Sequence, residues 1–347
     1  GLGLFGALNV TSTSSGNTSI SGTSDSGSGL YLAGSTNAIK NTGSGSMVIS
    51  GLSNTGAGLY LINDVSVVNN GNLALSGTSS TNAGLYFNGN LSNTGGGNTS
   101  VTGQSQSGRG LQADSADFGI VNSGNGSLKV TASSASAEGI NTNGNLNVVN
   151  SGNGTLNLTG ITSGTSGYGI NSGSGSLNIL SSGTTGATLV NALGINGGNG
   201  MAVNYLNVTS LGGTVNVSGH GTTVGLVVPQ QLNITNAGNG SISVIGLSDS
   251  NDVGVAVQGS LNVTSTGGGN TSISGSSDSS IGLYLGGNTN NIRNTGSGSV
   301  TLLGSSNTDA GLELFKDLNL VNNRGMTISG TSNTSYGVRF GGNLSAT

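Results

Sequence analysis

LNVTSTSSGNTSISGTSDSGSGLYLAG, residues 8–34, decides the fold. It holds three short apolar alternations: Leu8 and Val10, then Ile20 between serines, then Leu30 and Leu32 around Tyr31. Side chains one residue apart leave a pleated chain on opposite sides, so each alternation reads as a strand with one apolar face. The Gly, Ser, Thr and Asn between them read as turns.

The whole chain is built this way. Gly is 68 of 347 residues and charged residues are 5%, against about 25% charged in an ordinary globular protein. A disordered linker has such a composition, but a linker does not space its apolar residues regularly, and here 32% of residues are hydrophobic. Zero Cys, a net charge of -4 and seven Lys plus Arg exclude a disulfide scaffold, thiolate metal sites and the basic footprint of a nucleic-acid binder. No run approaches the roughly 18 apolar residues of a membrane span, and no charged segment precedes an apolar one as in a signal peptide. The chain is therefore expected to be a segment whose export signal and anchor lie elsewhere.

A Gly followed by Leu, Ile or Val recurs at 1, 29, 58, 84, 110, 139, 169, 194, 225, 254, 282, 311 and 337. The twelve intervals average (337 − 1)/12 = 28 residues. Three strands and three turns in such a period predict an all-β fold, a right-handed three-sided parallel β-helix (β-solenoid) of about 12–13 coils. Gly and Asn are expected at the corners, to supply φ > 0. Between Gly169 and Gly225 the intervals are 25 and then 31. They read as irregular coils near 170–225: a shortened coil, then one with an inserted loop, GINGGNGMAVNY (194–205). A longer period lies above the first. Residues 8–92 align without a gap on 261–345, offset 253, with 53 of 85 positions identical. Residues 1–347 are thus one solenoid segment whose super-repeat (1–253) restarts over 254–347, within a longer repetitive protein.

Candidate chemistry is sparse. GLGLFG (1–6) matches the dinucleotide fingerprint G-x-G-x-x-G, but no strand precedes it and no helix follows. GGNGMA (197–202) lacks the carboxylate of a calcium-binding G-G-x-G-x-D turn. His220, the only His, sits in a Gly-flanked turn with no acid between Glu138 and Asp249, so a triad would need partners from neighbouring coils. Asp114 with Asp117, and Asp249 with Asp252, have the spacing of paired carboxylates, and Asx turns explain them without catalysis; Asp25 and Asp278 share the turn of the second pair. No catalytic residue, metal or cofactor is assigned.

Two outward columns stand out. Tyr31, Tyr60 and Tyr86 occupy the outward middle of the third strand in successive coils, and Tyr284, Glu313 and Arg339 take those positions in the second copy. A tyrosine ladder is a candidate interaction surface, and also a way to stabilise stacked strands. Outward asparagines Asn9, Asn147, Asn207, Asn233, Asn262 and Asn319 predict an amide ladder.

The unit LNVTSTGGGNTSISGSSDSSIGLYLGG (261–287) resembles the repeats of bacterial secreted β-helix adhesins: filamentous-haemagglutinin-like exoproteins of two-partner secretion, and autotransporter passengers. The resemblance covers nearly the whole chain. It implies export through an outer-membrane β-barrel transporter, an extracellular or cell-surface location, and a role as stalk or adhesive surface. Expected partners are host or neighbouring cell surfaces, glycans or matrix, and further copies of the rod, without nucleic acid or membrane insertion. Two other readings are weighed: a carbohydrate-active β-solenoid enzyme, which needs clustered carboxylates, and an ice-binding solenoid, which needs a uniform Thr array.

Overall fold

A computed structural model describes residues 1–13, 15–114, 117–250 and 252–347. Each repeat forms three strands, illustrated by Leu30–Leu32, Asn37–Asn41 and Met47–Ser53. Equivalent strands pair in parallel with the coils before and after, giving three sheets, here A, B and C, of 13, 13 and 12 strands. The chain is a β-solenoid of about twelve turns without a helix among the described residues. Coils are numbered by their sheet A strand, from coil 1 (Leu2–Leu4) to coil 13 (Val338–Phe340). At about 4.8 Å per coil the rod is about 58 Å long.

The alternations do what the pattern demands. Leu30 and Leu32, Ile39, Met47 and Ile49 point inward and are buried, and Tyr31, Lys40 and Val48 between them point out. Each coil buries only a thin apolar stripe, and stacking joins these stripes into one core.

The interior also has polar seams. Sheet C strands end on a buried hydroxyl that donates to a corner carbonyl of the coil before and accepts the N–H of the next corner. Ser53 bonds Gly27 O at 2.6 Å and Gly56 N at 2.9 Å. Ser79 then takes Gly56 O, Ser105 takes Asn82 O, Ser134 takes Gly108 O and Thr162 takes Ala137 O. A second seam runs where sheet B turns toward sheet C. Asn41 donates to Asn69 at 2.9 Å, Asn93 to Asn122 at 3.0 Å and Asn122 to Asn150 at 2.8 Å. The same asparagines hold their own turns, as Asn150 does through Gly154 O at 2.9 Å.

Three expectations change. Glycine is not at the corners for its left-handed freedom. Among the described residues only Gly173, Asn196 and Gly197 have positive φ. Gly51 and Gly58 show the actual reason: a Cβ on Gly51 would run into the Gly58 carbonyl, and one on Gly58 into the backbone of Thr78 in the next coil. The corners are crowded rather than strained.

The marker of coil 8 is Gly200, not Gly194. Ile170 pairs with Met201 and Met201 with Leu226, so the steps are 31 and then 25 residues. Gly194 ends the sheet C strand Thr188–Gly194, in line with Thr162. The sheet B strand of coil 7, Ser176–Ser181, is of ordinary length, so the coil is not short of a strand. Ile195–Gly198 is a tight turn built on the positive φ of Asn196 and Gly197.

The super-repeat is not uniform across the sheets. In sheet A, Leu2 stacks nine coils on to Val255, an advance of 253. In sheet B, Asn9 stacks nine coils on to Thr264, an advance of 255. The corner asparagine marks the slip, because Asn93 faces Val67 instead of Asn69. An even slip keeps every side chain on its face. Coil 4 is left with a three-residue sheet B strand, Leu91–Asn93. Beside it the buried Phe87 and Phe118 stack at 4.6 Å between centroids.

Candidate functional surfaces

With the interior closed by Leu, Val and the polar seams, function must lie on the outward columns. In sheet A, coils 2 to 4, Tyr31, Tyr60 and Tyr86 stand in direct register. Their rings do not form a flat strip. Tyr31 meets Tyr60 edge to face at 5.2 Å, Tyr60 is tilted 59° from Tyr86 at 4.4 Å, and Phe5 continues the column at 5.4 Å from Tyr31. The Tyr86 hydroxyl donates to Asp114, which also receives Gln112 at 2.6 Å and Asn143 at 2.7 Å. Burial, then the Asp114 hydrogen bond and charge, push the Tyr86 phenol far above its ordinary range; burial and Tyr31 push Tyr60 up as well. These rings spend their faces and edges on one another.

The second copy uses the same register differently. Tyr284, Glu313 and Arg339 stack in order, and Arg339 Nη2 meets Glu313 Oε2 at 2.5 Å. Glu313 is only 5% exposed, and its hydrogen bond raises the Arg339 pKa. Burial and the neighbouring Glu313 raise that of Tyr284. The Tyr284 ring lies over Gly286, where a Cβ would collide with it. At the matching place beside Tyr31 the chain has Ala33.

The outward amide ladder gains two inner rungs and loses its expected first one. Asn178 donates to Asn147, Asn207 to Asn178, Asn233 to Asn207, Asn262 to Asn233, Asn291 to Asn262 and Asn319 to Asn291, at 2.8 to 3.4 Å. Asn178 and Asn291 were missed from the sequence, although each sits at the same step of its sheet B strand. Asn9 is not a rung: it faces Ala38, which has no amide to bond.

The carboxylates serve the stack. Asp25, Asp64, Asp114, Asp117, Asp278 and Asp317 each accept the side-chain amide of an Asn in the following coil: Asn54, Asn90, Asn143, Asn145, Asn307 and Asn343. Asp252 accepts its neighbour's N–H, from Val253, at 2.8 Å. The turns inside the two aspartate pairs, residues 115–116 and 251, lie outside the described residues. His220 does gain a carboxylate from the next coil, with Nε2 3.0 Å from Asp249 Oδ1. Both are exposed, and in its column His220 stands between Leu193 and Leu247. Among the described residues, no three His, Asp or Glu side chains are grouped to hold a metal ion.

A groove of about 620 Å³ lies on sheet A along coils 7 to 11. Its floor is a register column, Ala202, Val227 and Ala256, ending on Tyr284. Val224, Val253 and Ile281 form one wall, and Tyr168 stands at the other end. Sequence reading missed it because its small residues look like any outward position. Pro229, the only proline, was the available signal.

Comparison with known proteins adds no name: no family model, curated protein or solved structure matches the chain.

Proposed function

We propose that the chain is a structural rod segment of an extracellular bacterial protein, serving as a stalk and adhesive surface. One observation carries this reading: the recurrent corner hydroxyls, the asparagine columns and most of the aspartates join one coil to the next. Hydroxyl and amide seams run inside, and Asn–Asn and Asp–Asn steps run outside. Such a molecule is suited to hold length and present a long face. A secreted, surface-displayed segment would be exported unfolded through an outer-membrane barrel, a route compatible with the absence of Cys. The six aspartates bound to Asn amides weigh against the carbohydrate-cleaving reading, because each is engaged where an acid or base would have to be free.

The test is display of the chain on beads, measuring adhesion to cells and to matrix-coated surfaces, with polysaccharide hydrolase and lyase assays in parallel. Adhesion without turnover is the expected result. Turnover that disappears when a carboxylate is replaced would overturn it.

A further inference from the structure

We infer that the groove of coils 7 to 11 binds a neutral oligosaccharide lying along the rod axis. This rests on the adhesive reading and names the ligand class of one face.

The groove begins at the main departure from the repeat. Coils 7 and 8 carry Gly194 and Gly221 where other sheet C strands end in Ser or Thr, so the internal hydroxyl seam lapses there. Ser181, Thr188, Asn199 and Asn216 in these coils each keep a buried polar atom without a partner, which costs stability. The groove opens over these coils and the three that follow.

Its chemistry is amphipathic in the way a sugar is. A pyranose has an apolar C–H face and a rim of hydroxyls. Ala202, Val227 and Ala256 make a shallow apolar floor, with successive rungs about 4.8 Å apart. Tyr168 in coil 7 and Tyr284 in coil 11 bracket it across four coil steps, about 19 Å. Asp252 and Gln258 supply polar groups at its edge, and no Lys, Arg or His lines it. With one carboxylate and no cation, the lining repels acidic polymers and gives them no counter-charge; a neutral sugar meets apolar floor, aromatic ends and a few hydrogen-bonding groups.

The comparison of Tyr284 with Tyr31 supports a site rather than a scaffold. Tyr31 is engaged by Phe5 above and Tyr60 below. Tyr284 occupies the matching register, but Glu313 takes the place of the lower ring, its aromatic neighbour is the more distant Phe315 at 6.3 Å, and Gly286 lets its own ring lie down beside the strand at the groove end.

The experiment titrates the full chain with cellotetraose and chitotetraose as neutral probes and tetragalacturonate as the acidic one, by calorimetry and tyrosine fluorescence; the chain has no Trp. Saturable binding of a neutral tetrasaccharide is expected, weakened about tenfold or more by Tyr284→Ala or Tyr168→Ala. Gly286→Ala, which displaces the Tyr284 ring, should weaken it by a smaller factor, and Tyr31→Ala should leave it unchanged. Circular dichroism checks that each variant keeps its sheet. Failure of both neutral sugars to bind, tighter binding of the acidic one, or equal effects of Tyr31→Ala and Tyr284→Ala would each overturn the inference. So would groove variants that alter sedimentation of the rod instead of sugar binding, since the occupant would then be a second copy. Bead adhesion separates the two readings: adhesion by the parent chain when neither neutral sugar binds it removes the groove site and keeps the adhesive rod.

Discussion

Coils 2 to 6 and coils 7 and 8 have the same three sheets and the same apolar stripe, yet only in the first group does every sheet C strand end on a hydroxyl. In coils 3 to 6, Ser79, Ser105, Ser134 and Thr162 pass the corner hydrogen bonds from coil to coil. In coils 7 and 8 that role falls to Gly194 and Gly221, which have no hydroxyl, and Ser181 and Ser210 stand where Asn150 stood in sheet B. All three described positive-φ residues lie in coil 7. The apolar stripe therefore gives a solenoid, and the polar seams tie its corners from coil to coil. The groove begins where the hydroxyl seam lapses and runs on over coils 9 to 11.

This contrast can be broken in four ways, in decreasing order of effect. Gly51→Ala places a Cβ against the Gly58 carbonyl in a regular coil that cannot spread. It should cost about 3 kcal/mol, seen as a fall in the urea midpoint. Gly173→Ala in coil 7 meets the left-handed φ of 51° and a milder contact, 3.1 Å from the Thr142 carbonyl, and should cost about 1 kcal/mol. Equal losses would mean that regular corners are not crowded.

Ser105→Ala leaves Asn82 O and Gly108 N–H without their partner. About 2 kcal/mol should be lost, and a variant as stable as the parent would show that the seam is incidental. On the outside, Asn233→Ala removes a rung bonded on both sides and should cost about 1 kcal/mol, while Asn9→Ala should change nothing measurable in thermal unfolding.

The smallest effect is a pH dependence. Tyr60, Tyr86 and Tyr284 have folded pKa values raised above the ordinary phenol value of 10.0. The folded chain thus holds these protons more tightly than the unfolded chain. Their contribution is complete below about pH 10 and is lost as the pH rises through the raised folded values. Urea midpoints should fall as the pH is raised above about 10, and fall less in Tyr86→Phe. Stability that is flat over this range would contradict the assignment.

Much of this was readable in the sequence, for a physical reason: a strand one residue out of phase exposes its whole core face, so Leu30, Leu32 and Ile20 fix their faces by alternation alone. The period of 28 and the tyrosine register follow from the same rule. The marker glycine failed where it stopped being unique, at Gly194, because Gly-Ile also occurs inside a turn. The slip in sheet B was invisible because 53 of 85 identities align without a gap, whereas stacking depends on how many residues each corner takes up. Asn41 and Asn122 were not recognised as buried because, by composition, a turn asparagine looks solvated. The groove escaped because Ala202, Val227 and Ala256 gain meaning only when stacked.

Hydrogen exchange measured strand by strand tests the central claim most directly. Amides of Thr188–Gly194 and Val215–Gly221 should exchange sooner than those of Leu73–Ser79, Thr99–Ser105 and Leu128–Ser134, because local opening follows the weakest coupling between coils. Equal protection in the two groups, or later exchange in coils 7 and 8, would contradict the account that the polar seams hold neighbouring coils together.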